Sequence, residues 1–144
     1  MRKRTLSREI ALKILYASDV TKELVQDSWR KYWESNDPEE ESVKSFAEFL
    51  VLGVDANRAK VDETISKYAA NWTMERMATI DRNILRIATF ELLQSEETPP
   101  KVAINEAIDM AKKYGDKDSG KFVNGILDKI NKTDNDGLSC PSGN

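Results

Sequence analysis

Apolar residues recur every three or four positions along almost the whole chain, and this spacing restricts the fold more than any other feature. In the first segment Leu6, Ile10 and Ile14 are each four residues apart, which places them on one face of a helix. No segment shows the alternation of a strand, and no motif repeats at a fixed period. The sequence therefore predicts an all-α protein of about seven helices.

Prolines, glycines and capping residues set the predicted helix boundaries. Thr5 or Ser7 is expected to cap the first helix, and residues 36–38 (Asn-Asp-Pro) to end the second. Residues 43–68 contain no proline and predict one long helix, bent near Gly53 or Asn57. Residues 74–77 predict a short helical turn, and residues 80–95 a fifth helix with apolar residues around most of its circumference. This fifth helix is therefore expected to be the central one.

The last two helices and the tail follow from similar signals. We expect the sixth helix to begin near Pro100 and to end at Gly115, and the seventh to open at Asp118 or Ser119. Residues 1–132 are predicted to form one domain. Residues 133–144 have almost nothing to bury and are expected to be disordered.

Charge is distributed unevenly along a chain whose net charge is −3. Residues 1–22 hold six basic and two acidic residues, a net charge of +4, whereas the remaining residues hold 16 basic and 23 acidic ones, a net charge of −7. A basic arm on an acidic body indicates contact with a polyanion at one end, although a merely solvated N-terminus has the same composition.

Catalytic and metal-binding chemistry finds little support in the sequence. The chain has no histidine and only one cysteine, Cys140, which excludes His-based catalysis, His ligation and an internal disulfide. It also lacks phosphate-binding glycine loops and a serine nucleophile motif. We expect no enzyme, no metal and no cofactor. Without an apolar run long enough to span a membrane, and without a signal peptide, a cytoplasmic protein is expected.

A pair with poor helix propensity lies inside the last predicted helix. Asn124 and Gly125 interrupt the segment KFVNGILDKI at residues 121–130. Such a pair indicates either close approach of a ligand or backbone, or a glycine that packs against the central helix. Lysines 112, 113, 117 and 121 add a second basic patch near the start of this helix.

Four segments together carry a family resemblance. ALKILY at residues 11–16, DRNILRIATFEL at 81–92, VAINEAIDMAKKYG at 102–115 and KFVNGILDKI at 121–130 resemble the NusB family of bacterial transcription antitermination factors. The resemblance covers about residues 4–131. It implies a bundle in two helical halves and a protein that binds boxA RNA of ribosomal RNA leaders together with NusE, a ribosomal small-subunit protein. The complex would tether the RNA to elongating RNA polymerase.

The same resemblance implies two sets of site residues. The RNA would lie on the basic N-terminus, the first helix and the start of the last helix: Arg4, Arg8, Lys13, Tyr16, Asp118, Ser119, Lys121, Phe122 and Asn124. NusE would contact the middle helices through Glu75, Asp81, Arg86 and Glu91.

One alternative function remains open at this point. A helical adaptor that binds only protein would use Trp29 and Trp33 as exposed anchors. Whether the chain forms a homodimer is also left open by the sequence, as are the roles of the tail and of the aromatic cluster in the second helix.

Overall fold

Seven α-helices make up most of the chain in the computed structural model, which describes residues 2–94 and 98–134. No strand occurs within those residues, so the all-α prediction is confirmed. A 3₁₀ turn at Met74–Arg76 precedes α5, and a π-helical turn at Ile130–Asp134 follows α7. The helices are α1 (Arg2–Thr21), α2 (Val25–Ser35), α3 (Glu41–Ala56), α4 (Arg58–Tyr68), α5 (Thr79–Gln94), α6 (Pro100–Tyr114) and α7 (Ser119–Lys129).

Helix α5 lies at the centre of the molecule. Every residue from Asn83 to Leu92 is buried, because α5 contacts α1, α3, α4, α6 and α7. Helices α1 to α3 pack together on one side, and α4, α6 and α7 pack on the other. This arrangement gives the two helical halves and the central fifth helix that the sequence predicts. Burial of the broad apolar surface of α5 supplies a large hydrophobic contribution to folding.

Two boundaries differ from the predictions because polar side chains bond to nearby backbone. The segment at residues 43–68 forms two helices rather than one bent helix, since the Asn57 side-chain amide and backbone N–H both donate to the Gly53 carbonyl. Helix α1 begins before Thr5 and Ser7, so neither residue caps it. Instead the buried Ser7 hydroxyl donates to the Val43 carbonyl at 2.7 Å and joins α1 to α3.

Other boundaries agree with the sequence. Helix α2 ends at Ser35, just before residues 36–38, and α6 begins at Pro100 and is closed by Gly115. The last helical turn reaches Asp134, two residues into the predicted tail. The expectation of disorder for the rest of the tail, and the expected end of α5 at residue 95, lie outside the described residues.

The aromatic cluster of α2 packs inward. Trp29, Tyr32 and Trp33 are partly buried against the core, and their rings meet edge-on at 4.9 to 5.7 Å between centroids. The exposed tryptophan anchors of the adaptor alternative are therefore not present.

Two helical glycines should respond in opposite ways to alanine. A methyl group at Gly53 would overlap the ring of buried Phe90, whereas nothing lies within 4 Å of the same position at Gly125. We expect Gly53→Ala to lower the free energy of unfolding by about 1–2 kcal/mol through overpacking. Gly125→Ala should raise it by about 0.5–1 kcal/mol through helix propensity. Urea denaturation measures both, and a destabilised Gly125→Ala protein would contradict the open surroundings of that residue.

Candidate nucleic-acid and protein interfaces

One exposed surface combines side chains from α1 and α7. Lys13 and Tyr16 are exposed and lie three residues apart on α1, which puts them on one face of the helix. On α7, Lys121 and Asn124 are exposed and Phe122 is half-buried. These five predicted RNA-binding residues are all accessible to some degree. Gly125 is exposed beside Asn124, so it does not pack against the central helix, and the close-approach interpretation of the Asn-Gly pair remains.

A groove of about 450 Å³ opens beside the start of α7. Its aromatic wall consists of Trp72 and Phe122, whose rings meet edge-on with centroids 6.0 Å apart, and the Arg76 guanidinium lies 5.9 Å from the centre of the Trp72 ring. Three carboxylates complete the lining: Asp81, Asp116 and Asp118. The groove is therefore both aromatic and acidic.

Asp81 is the buried acid of this groove. Its Oδ1 atom is buried and has no hydrogen-bond partner among the described residues. Burial raises the pKa of Asp81, a hydrogen bond with the Ser119 side chain opposes that rise, and the charge of Asp116 adds to it. A buried acceptor without a partner is costly unless a ligand supplies a donor.

Ser119 and Asp118 shape the loop that leads into α7. The Ser119 hydroxyl is buried and accepts the Asp116 N–H at 3.0 Å, and the Asp118 N–H donates to the Asp116 carboxylate at 2.8 Å. Asp118 occupies the N-cap position, but its exposed side chain makes no capping hydrogen bond. Ser119 therefore positions the loop from inside, while Asp118 places a negative charge at the surface.

Arg8 and Glu91 occupy a different environment from the one predicted. The Arg8 guanidinium donates to both Glu91 oxygens at 2.8 and 2.9 Å, and the two side chains are only 3% and 1% exposed. Glu106 lies 3.4 Å from the same guanidinium and also accepts the Thr5 hydroxyl. The expectations that Arg8 contacts RNA and that Glu91 contacts NusE are therefore wrong for this structure, because the two charges neutralise each other in the interior.

Arg86 is likewise internal rather than part of a partner surface. It donates to both oxygens of Asp62 at 2.9 and 3.0 Å and to Asp19 at 3.1 Å. Arg82 and Asn83 bond to the same Asp19 oxygen, each at 2.9 Å. This network joins the end of α1 to α4 and α5.

The expected NusE surface on the middle helices is consequently not formed. Asp81 lies in the aromatic groove, Arg86 and Glu91 are buried in ion pairs, and only Glu75, in the 3₁₀ turn, is exposed. Sequence spacing marked α5 as central but did not separate its few accessible positions from the buried ones.

Arg4 is exposed but points away from Lys13. The two residues are nine positions apart on α1, which at about 100° per residue puts them on opposite sides of the helix. The Arg4 guanidinium lies 3.9 Å from the centre of the Phe46 ring on α3. The structure therefore brings Lys13, Tyr16 and the start of α7 to accessible positions but separates Arg4 from Lys13 and Tyr16.

Several residues that line these surfaces were not singled out from the sequence. Trp72, Arg76 and Asp116 line the groove, and a tryptophan in a polar loop just before a helical turn was the available signal for it. Phe49 was counted with the core residues of its helix, yet it is 44% exposed.

Comparison with known proteins places this architecture in a family. The NusB family profile matches residues 5–132. The chain belongs to the NusB family. It is 50% identical over 128 residues to the transcription antitermination protein NusB of Anaeromyxobacter sp. (strain Fw109-5), covering 89% of each chain. It is 42% identical over 139 residues to the NusB of Thermodesulfovibrio yellowstonii, covering 90% of this chain and 92% of the relative.

Solved NusB structures have the same fold. T. maritima NusB superposes with a TM-score of 0.84 at 36% identity, covering 90% of this chain and 91% of that one. A chain from a crystal structure of the antitermination factors NusB and NusE in complex with dsRNA gives a TM-score of 0.84 at 29% identity, covering 92% and 98%. These matches confirm the resemblance that the sequence segments carry.

Two searches of the described residues gave negative results. Residues 2–94 and 98–134 contain no cluster of three or more His, Cys, Asp or Glu side chains that could hold a metal ion. In the same part of the chain, none of the helices combines the length and the hydropathy needed to cross a bilayer.

Removal of Arg8 should destabilise this NusB-family protein as a whole. Arg8→Ala leaves Glu91 charged, buried and unpaired, which should lower the free energy of unfolding by about 3–5 kcal/mol. Lys3→Ala is the matched control, because its 2.8 Å pair with Glu40 is exposed and should change stability by less than about 1 kcal/mol. Chemical denaturation compares the two variants. Equal small effects would show that the Arg8 pair does not stabilise the core.

Asp19 and Asp81 should give opposite pH dependences of stability. Burial raises the pKa of Asp19, but hydrogen bonds from Arg82 and Asn83 outweigh it and leave the pKa below its ordinary value. The stability from Asp19 is therefore present above the unfolded pKa and is lost as pH falls through the folded pKa. The pKa of Asp81 is raised, so stability falls as pH rises from its unfolded to its folded pKa, and the cost persists above.

Asparagine at each position tests these signs. Asp19→Asn should melt at a lower temperature than the parent near pH 7 and lose less stability on acidification. Asp81→Asn should melt at a higher temperature than the parent near pH 7, and the difference should vanish below the ordinary aspartate pKa. Thermal melts followed by circular dichroism from about pH 3 to pH 7 measure both. A lower melting temperature for Asp81→Asn at pH 7 would contradict the assigned direction.

Proposed function

We propose that this chain is a transcription antitermination factor that binds boxA RNA of ribosomal RNA leaders together with NusE. The observation that carries the proposal is the match, over nearly the whole fold, to the NusB chain of a complex with NusE and dsRNA. Bound to both partners, the protein would tether the nascent RNA to elongating RNA polymerase. The chain would act by binding and not by catalysis, in the cytoplasm, where bacterial transcription takes place.

The exposed side chains of α1 and α7 support an RNA surface made of two kinds of contact. Lys13 and Lys121 are exposed cations that can neutralise phosphates. Tyr16 and the groove walled by Trp72 and Phe122 offer aromatic faces and edges to unstacked bases. Single-stranded RNA uses this combination, because its bases are free to leave the stack while its backbone stays at the basic surface.

The acids of the groove favour base recognition over phosphate contact. Phosphate would be repelled by Asp81 and Asp118, whereas the amino or imino N–H of a base can donate to a carboxylate. The unpartnered Oδ1 of Asp81 would gain a donor when a base enters. We therefore assign the groove to a nucleobase and the lysines to the RNA backbone.

Internal ion pairs reduce the charge that the basic arm can offer to RNA. Arg8 is neutralised by Glu91, and Lys3 and Lys113 pair with Glu40 and Glu9 at 2.8 and 3.0 Å. The exposed pairs can still exchange partners at little cost, but the buried one cannot. A modest salt dependence of RNA binding is the consequence.

Removal of Lys13 and Lys121 should weaken RNA binding and flatten its salt dependence. Each lost phosphate contact should reduce the slope of log K against log salt by about 0.7 for a single strand. The double variant Lys13→Ala/Lys121→Ala should therefore lose about 1.4 in slope. Fluorescence anisotropy of a boxA-like RNA between about 50 and 200 mM salt measures it.

The matched control is Lys60→Ala, an exposed lysine on α4 that is not part of the proposed RNA surface. It should leave the slope unchanged. If the double variant and the control give the same slope as the parent, phosphate is not bound by Lys13 and Lys121, and the proposed RNA surface fails.

A further inference from the structure

The buried middle helix leaves the site of the protein partner unassigned. Of the residues expected to contact NusE, Asp81, Arg86 and Glu91 on α5 are at most 8% exposed. A helix enclosed by five others has no continuous face to offer a second protein. If the proposed function holds, the partner must dock elsewhere on this molecule.

Helix α3 has an outward apolar strip of its own. Phe49 and Leu52 are each 44% exposed and lie three residues apart, and Ser45 and Ala56 extend the strip by about one turn in each direction. The Phe49 ring stacks on Phe46 at 5.8 Å. Exposed large apolar side chains gathered on one helix face mark interaction surfaces more often than isolated ones do.

The base of the strip is firmly held. Phe49 lies 5.2 Å from the ring of the buried Phe90, which in turn fills the space over Gly53. A groove of about 320 Å³ adjoins the strip and is lined by Arg4, Ser42, Ser45, Phe46 and Phe49. The strip therefore offers both a raised aromatic anchor and a depression beside it.

A row of carboxylates borders the strip along one edge. Glu41, Glu48 and Asp55 are seven residues apart, and seven residues is almost two full turns, so the three lie above one another. All three are exposed. The described partners of two of them compensate little: Glu41 accepts the Ser45 hydroxyl, and Asp55 has only a long 3.9 Å contact with Arg58.

We propose that this α3 face, centred on Phe49 and Leu52, is the docking surface for the basic protein NusE. The inference rests on the proposed function and deepens it. An apolar strip beside three carboxylates fits a partner that combines an apolar anchor with positive charge, as a ribosomal protein does. RNA does not fit the carboxylate row, because its phosphates would be repelled. A symmetric second copy would bring two such rows together.

The position of the face agrees with simultaneous binding of RNA. Helix α3 packs on the side of α1 that carries Ser7 and Arg4, whereas Lys13 lies on the opposite side of α1 from Arg4. The two partners would therefore occupy separate surfaces with α1 between them.

Substitutions within the strip and its edge test the assignment. The double variant Phe49→Ser/Leu52→Ser should weaken binding of the full chain to purified NusE by about tenfold or more, as central anchors do. Glu48→Lys should also weaken it and reduce its salt dependence. Isothermal titration calorimetry with NusE measures both, and thermal melts verify that the variants are folded.

Matched controls use the same residue types outside the α3 face. Leu24→Ser removes the 69% exposed leucine that precedes α2, and Glu63→Lys reverses an exposed acid on α4. Both should bind NusE with the parent affinity. Binding of boxA-like RNA alone should be unchanged in the strip variants, because the RNA surface is elsewhere.

The outcomes separate this inference from the proposed function. If the parent protein does not bind NusE, both fail. If the parent binds but folded strip and edge variants bind equally well, the docking surface is wrong while the proposed function stands. Loss of RNA affinity in folded strip variants would assign the face to RNA, and conversion of a dimer to a monomer in sedimentation would assign it to a second copy. Either result overturns the inference.

Discussion

Enclosure of α5 by five other helices determines which parts of this molecule can meet a partner. Because every residue from Asn83 to Leu92 is buried, the polar groups of α5 must find partners inside the protein. Arg86 and Glu91 do so through ion pairs with Asp62, Asp19 and Arg8, and these pairs fasten α5 to α1 and α4. Recognition is left to the outer faces of α1, α3 and α7.

The helices themselves were largely predictable because the signals that define them are local. Pro100 and the Asn-Asp-Pro sequence at residues 36–38 act within one turn of their own position, and the broad apolar surface of α5 is visible within sixteen residues. The break at Asn57 was harder, since it depends on a side chain that competes for the Gly53 carbonyl. The sequence contains that asparagine but not the choice between bending and breaking.

The candidate site was only partly predictable because it depends on long-range contacts. Arg8 and Glu91 are 83 residues apart, and nothing near either residue indicates that they neutralise each other. A count of basic residues in the N-terminal segment therefore overstates the charge available to RNA. The outward position of Phe49 was hidden for a related reason. An apolar residue beside a core stripe looks the same in sequence whether the next helix covers it or not.

The same ion pairs that remove charge from the surface fix the surfaces in space. Through Glu91 and Glu106, Arg8 binds α1 to α5 and α6, and through Ser7 the same helix is bound to α3. The RNA surface on α1 and α7 and the protein surface on α3 therefore belong to one rigid unit. Two partners held on a rigid scaffold each raise the effective concentration of the other without any change of shape. Modest affinities for RNA and for protein are then sufficient, and a weakly charged arm is compatible with function when the partner supplies the remaining binding energy.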